Sequence, residues 1–245
     1  MSARRTWATA RRVLQQLRHD PRTIALLLVV PCVLQILVHA LFTDSPQVFQ
    51  KLGVPLLGLF PFVAMFIVTS ITMLRERVSG TLERLLTTPI ARGDLLVGYG
   101  ISFALLAAVQ ASLVSALSFG LLDLEAGHST LAVVALAIAN AVLGMTLGLF
   151  ASAFARTEFQ AVQFMPAFVL PQILLCGLIV PRDEMAGWLQ AISALLPLTY
   201  AYDALAKIAS TNPLGVRFWV DVVVVVGLTI LSLGLGAATL RRRTS

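Results

Sequence analysis

Charge is what this sequence has least of. Only 12% of its 245 residues are Asp, Glu, Lys or Arg, about half the share of roughly 25% found in soluble domains. Hydrophobic residues make up 58%, and the mean hydropathy is +0.89. Disorder is excluded, because a disordered chain needs low hydrophobicity. Two cysteines, Cys32 and Cys176, are too few for a disulfide scaffold. No glycine is followed by lysine, so the loop G-x-x-x-x-G-K-[ST] that cradles nucleotide phosphates is missing. This chain is therefore not read as hydrolysing ATP. The three histidines are scattered and no H-E-x-x-H occurs, which speaks against a zinc site. No Asp, Glu, Lys or Arg sits in the middle of a long apolar run. Ion-coupled carriers and intramembrane enzymes usually need such groups there. The net charge of +6 is spread between apolar runs rather than gathered on one face, which argues against nucleic-acid binding.

What is present is a set of runs long enough to cross a bilayer. About 20 apolar residues span roughly 30 Å of hydrocarbon as a helix. Six stretches qualify: 24–42, 53–74, 95–122, 130–154, 161–180 and 218–240. None alternates with period two, so they read as helices and not as barrel strands. The expected fold is all-α: a six-span domain over 23–240, an N-terminal amphipathic helix within 1–22, and a basic tail at 241–245.

Basic residues set the orientation. Fourteen of the eighteen lie before the first span, in 75–94, in 155–160 and in the tail, and only Lys51, Arg182, Lys207 and Arg217 lie in the other connections. The positive-inside rule places the fourteen, and hence both termini, in the cytoplasm. Val38-His39-Ala40 imitates a signal-peptide cleavage site, but Pro31 interrupts the preceding apolar run. Arginine outnumbers lysine sixteen to two, a bias of GC-rich bacterial genomes. A bacterial plasma membrane is the expected location.

Three connecting segments carry pattern. In 3–20, Trp7, Ala10, Val13, Leu14 and Leu17 share one helical arc, and Arg4, Arg5, Arg11, Arg12 and Arg18 occupy the other. Such a helix lies at the headgroup level. In 75–92, Val78, Leu82, Leu85 and Leu86 fall on one face of a mixed-charge helix that starts near Ser79 or Gly80 and stops at Pro89. In 181–217, Met185, Trp188, Leu189, Ile192, Leu195 and Leu196 form an amphipathic helix, followed by a second short helix over Tyr200–Ala209. Gly144-x-x-x-Gly148 lets two helices approach closely. The polar residues within spans, Gln35, Gln110, Asn140, Gln163 and Gln172, suit interhelical hydrogen bonds. Alternatively, Gln163 and Gln172 line a substrate path with Phe159, Phe164 and Phe168, and Gln35, Phe62 and Phe66 extend it.

The run Arg75-Glu76-Arg77-Val78-Ser79-Gly80-Thr81-Leu82-Glu83-Arg84-Leu85-Leu86-Thr87-Thr88-Pro89 resembles the segment after the second span in permeases of type-2 ABC (ABC-2) exporters. Phe159-Gln160-Ala161 through Pro166 looks like the start of that family's fifth span. Cys176-Gly177-Leu178-Ile179-Val180-Pro181 with Trp188 looks like its outer turn. Leu196-Pro197-Leu198-Thr199-Tyr200 with Asp203-Ala204-Leu205 resembles its pre-final segment. The nearest subgroup is the half-size drug and antibiotic exporters similar to those for daunorubicin and doxorubicin.

The resemblance implies a permease subunit moving amphipathic or lipophilic compounds outward. It implies two copies of a separate ATPase subunit that bind ATP and Mg, and a second permease copy, identical or similar. Membrane lipid surrounds the assembly. By the same resemblance, Arg75, Glu76, Arg77, Ser79, Gly80, Thr81, Glu83, Arg84 and Thr88 couple the chain to the ATPase. A non-transporting membrane scaffold, or an ion-independent channel or carrier, is the alternative.

Overall fold

The structure is a computed structural model that describes residues 3–81 and 92–239. Among the described residues, all regular secondary structure is helical. In chain order the helices are α1 (Ala3–Arg18), α2 (Pro21–Leu41), α3 (Pro46–Val78), α4 (Arg92–Leu121) and α5 (Thr130–Ala151). Then come α6 (Glu158–Phe164), a π-helical turn (Met165–Val169), α7 (Leu170–Leu175), a 3-10 turn (Arg182–Glu184), α8 (Gly187–Ser193), α9 (Pro197–Ala209) and α10 (Val216–Thr239). Among the described residues, five helices, α2, α3, α4, α5 and α10, are long and apolar enough to cross a membrane.

The stretch expected as the fifth of six spans, 161–180, is not one uninterrupted α-helix. Pro166 and Pro171 have no N–H to give, so the regular bonding pattern cannot pass through them. The backbone answers with a π turn, in which the Leu170 N–H reaches back to the Met165 carbonyl. The chain then leaves the helix after Leu175 and turns at Gly177, whose φ of +104° suits a residue without Cβ.

Helix α3 is the axle of the bundle. Of its most apolar stretch, 67% is buried within the chain, against 17% for α2 and 22% for α10. It starts at Pro46, several residues before the apolar run that identifies it, and passes through Pro55 and Pro61 without ending. Its closest neighbour is α5. A Cβ on Gly144 would sit 2.3 Å from the Phe62 carbonyl oxygen, and one on Gly148 would sit 2.4 Å from that of Phe66. The G-x-x-x-G pair therefore packs α5 onto α3 backbone to backbone, within one chain.

The N-terminal arc divides its work. Ala10, Val13 and Leu17 are buried, joined by Thr6 and Thr9, while Trp7 faces outward. This face packs on α4, where Gly98 leaves room for Thr9 and the Ser102 hydroxyl donates to the Ala10 carbonyl. The buried part of the arc thus belongs to the protein core and not to the lipid boundary. The outer amphipathic segment is shorter than its apolar pattern. Pro197 opens α9 instead of only ending α8, and Trp188 and Leu195 stay exposed.

Buried glutamines tie α2 in place. Pro31 deprives the Leu27 carbonyl of its usual partner four residues on. Gln110 of α4 supplies the replacement, donating from Nε2 at 2.9 Å. Gln35 of α2 donates to the Gly53 carbonyl of α3 at 3.1 Å. Replacing Gln110 by Leu should destabilise the chain in detergent by about 1–2 kcal/mol. A Pro31→Ala background restores the missing N–H, and there the same Gln110→Leu substitution should cost little. Unfolding titrations of the four proteins check this, and an equal cost in both backgrounds contradicts the compensation.

Candidate functional site

The cytoplasm-assigned end of α3 presents three consecutive charged side chains, Arg75, Glu76 and Arg77. Successive residues of an α-helix point about 100° apart, so they fan out to three different neighbours. Each finds a partner on a separate element.

Glu76 points inward and is 5% exposed. A buried carboxylate needs charge-assisted donors. Arg12 of α1 donates from Nη2 to Oε2 at 2.9 Å, and Gln16 donates from Nε2 to Oε1 at 2.7 Å. The same Arg12 nitrogen donates to the Tyr99 hydroxyl of α4 at 3.0 Å. Arg12 and Gln16 are one helical turn apart, so both reach the same carboxylate from one face of α1.

Arg75 turns outward and holds Glu158 at the start of α6, with Nε and Nη2 at 2.7 and 3.0 Å from its two oxygens. Its Nη1 lies 3.7 Å from Asp20, which caps α2 through the Thr23 hydroxyl and N–H. Those hydrogen bonds, with Arg75 adding its charge, hold the Asp20 carboxyl below the usual carboxylate range. Arg77 donates from Nη1 to the carbonyl of Ser152, the residue that caps the C-terminus of α5, at 3.2 Å. A cation there satisfies a terminal carbonyl and complements the helix dipole. Thr157 caps α6 by accepting from the Gln160 N–H, and the Gln160 side chain accepts from the Arg156 N–H.

Beyond this knot the helix ends sharply. The Ser79 hydroxyl shares a hydrogen bond with that of Thr81 at 2.8 Å, and Gly80 has a φ of +69°. That left-handed conformation favours glycine and redirects the chain. Val78, on the last turn, is 70% exposed. Glu83, Arg84 and Thr88 lie outside the described residues.

The residues expected along a substrate path fall in different surroundings. Phe159, Gln163 and Phe168 are exposed. Gln163 and Phe164 line a hollow of about 360 Å³ with Phe154, Arg156 and Gln160, and the rings of Phe164 and Phe168 meet edge to face at 5.6 Å. Gln35, Phe62 and Phe66 are buried between helices. Gln172 is buried too, and its carbonyl oxygen accepts from the Leu198 N–H at the start of α9.

Sequence reading missed Arg12, Gln16, Asp20, Tyr99, Ser152 and Glu158 as members of the knot. One signal was available: Thr157-x-x-Gln160 has the spacing of a capping box.

Residues 4–209 match the ABC-2 type transporter membrane family. The chain belongs to that family. It is similar to YbhR, a probable multidrug ABC transporter permease of Escherichia coli K12, at 29% identity over 154 residues, 62% of this chain and 42% of the relative. YbhS of the same organism, also named a probable multidrug ABC transporter permease, is 28% identical over 178 residues, 72% of this chain and 47% of the relative. The linearmycin resistance permease protein LnrN of Bacillus subtilis is 27% identical over 141 residues, 58% of this chain and 36% of the relative. The chain thus spans less than half the length of each of these relatives. The five long apolar helices agree with a multi-pass membrane protein of this family.

Replacing Arg12 and Glu76 by Ala, singly and together, should reveal a coupling of about 1–2 kcal/mol in unfolding experiments. The Arg75–Glu158 pair, half exposed on both sides, should contribute less than about 1 kcal/mol. Comparable couplings for the two pairs would contradict this ranking.

Proposed function

We propose that this ABC-2 family chain is the transmembrane permease subunit of an ATP-driven exporter of amphipathic or lipophilic compounds. A separate ATPase subunit, present in two copies, binds ATP and Mg, and a second permease copy completes the membrane part. Both termini face the cytoplasm of a bacterial plasma membrane. The helical run from Glu158 to Leu175 forms a sixth crossing with 161–180. It contains 18 residues, or about 27 Å of rise.

The observation that carries this reading is the fan of contacts from Arg75, Glu76 and Arg77. A segment that receives force from a motor must be anchored to several helices, or the force is lost in local bending. Glu76 ties it to α1 directly and, through Arg12, to α4, while Arg77 ties it to α5 and Arg75 to α6. In this reading Ser79, Gly80 and Thr81 turn the chain away from α3, and Glu83, Arg84 and Thr88 lie on the surface that meets the ATPase. Exposed Val78 supplies an apolar contact at its edge. Differential contacts of this segment with two ATPase states bias the membrane helices between two arrangements. The substrate path follows the exposed side of the broken helix, along Phe159, Gln163, Phe164 and Phe168. Phe62 and Phe66 belong to the apolar cluster behind that side, Gln172 joins it to α9, and Gln35 instead joins α2 to α3. The relatives' multidrug and linearmycin-resistance names support a drug- or antibiotic-like cargo.

Affinity purification of the tagged chain from its native host should retain a nucleotide-hydrolysing subunit. Glu83→Arg with Arg84→Glu should cut ATPase-coupled transport by roughly tenfold or more, with membrane insertion unchanged. Transport that is unaltered in this variant, or a wild-type chain that retains no ATPase, contradicts the reading.

A further inference from the structure

At the end of the bundle opposite Glu76, the chain encloses an open hollow of about 1170 Å³. It lies between the first turns of α3, the 177–183 segment, α9 and the start of α10. Lys51 on its rim and Glu76 share helix α3, 25 positions and about 37 Å of rise apart. The hydrocarbon core is about 30 Å thick, so both ends of α3 reach headgroup level.

The charges of the hollow are unevenly used. Arg182 donates to Asp203 at 3.1 Å, and Lys207 is bonded to Asp221. Lys51 and Arg217 remain, and neither forms an ion pair with an acid among the described residues. Asp183 is the one lining carboxylate that forms no such pair there either. The Nε of Arg182 is buried and makes no hydrogen bond within the described chain. Val48, Leu52, Ile179 and Val220 give the same hollow an apolar wall. Two uncommitted cations above apolar surface match an anionic group attached to hydrocarbon. Arginine's planar fork favours phosphate.

We propose that this hollow binds a membrane phospholipid by its phosphate, with Lys51 and Arg217 on the phosphate and the acyl chains against the apolar wall. The same chemistry could be met by a soluble phosphate ester. The apolar wall favours the lipid. The site is separate from the proposed transport path and does not rest on the export reading.

Native mass spectrometry of the full chain, purified in mild detergent, tests this with three probes. These are dioleoyl phosphatidylglycerol, dioleoylglycerol with the same chains and no phosphate, and glycerol 3-phosphate with the head alone. The expected result is retention of phosphatidylglycerol alone. Retention should fall by about tenfold or more in Lys51→Gln/Arg217→Gln and persist in Lys51→Arg/Arg217→Lys. Equal retention of dioleoylglycerol by the wild-type chain would overturn the proposal without reference to any variant. So would undiminished phosphatidylglycerol binding in the neutralised protein. Glycerol 3-phosphate bound as tightly as the lipid would assign the hollow to a soluble ester and overturn the lipid assignment.

Discussion

A carboxylate taken out of water must be met by donors, and Glu76 is met by α1. Leaving such a charge unpaired costs several kcal/mol, far more than an exposed ion pair returns. The position of the N-terminal helix therefore follows from one buried acid at the end of α3. Arg12 and Gln16 have to stand where Glu76 is, and Tyr99 brings α4 to the same point. With α1 fixed, its small residues Thr6, Thr9 and Ala10 fall against the open surface at Gly98 and Ser102. Arg75 and Arg77, on either side, add α6 and α5. Three adjacent residues thus gather most of the bundle just before the chain turns at Gly80.

The membrane part obeys a different economy. There the constraint is the backbone, because lipid offers nothing to a freed carbonyl or N–H. Pro31 frees one carbonyl, and Gln110 answers it from the neighbouring helix. Pro166 and Pro171 interrupt another helix, and a π turn absorbs the misfit. Gln172 answers the orphaned N–H at Leu198. Small residues then let α5 lie directly on α3. The polar residues within the spans largely serve helix contact. This explains why Gln35 and Gln172 lie buried between elements instead of lining an open channel.

Much of the fold was legible in hydrophobic length. Five apolar runs became five long helices, since a run of that length has little other use. The remaining run, 161–180, is helical but interrupted by a π turn, because its length says nothing of how two prolines break the bonding pattern. The 75–77 triplet stood out as mixed charge, but its partners did not. Arg12 and Glu76 are 64 positions apart, and the charge pattern of α1 alone placed Arg12 on the arc facing lipid headgroups. Thr6 and Thr9 escaped notice because a hydroxyl does not read as core. Gly144 and Gly148 showed a close approach, but not its partner, which the structure places at Phe62 and Phe66 of the same chain.

Glu76, through Arg12 and Gln16, holds α1 to the membrane helices. Amide hydrogen exchange across residues 3–18 measures that hold directly, in the wild type and in Glu76→Ala and Arg75→Ala variants. Protection of α1 should fall by about tenfold or more in Glu76→Ala and stay near the wild-type level in Arg75→Ala, whose ion pair is exposed. Unchanged exchange in α1 after loss of the Glu76 carboxylate would contradict it.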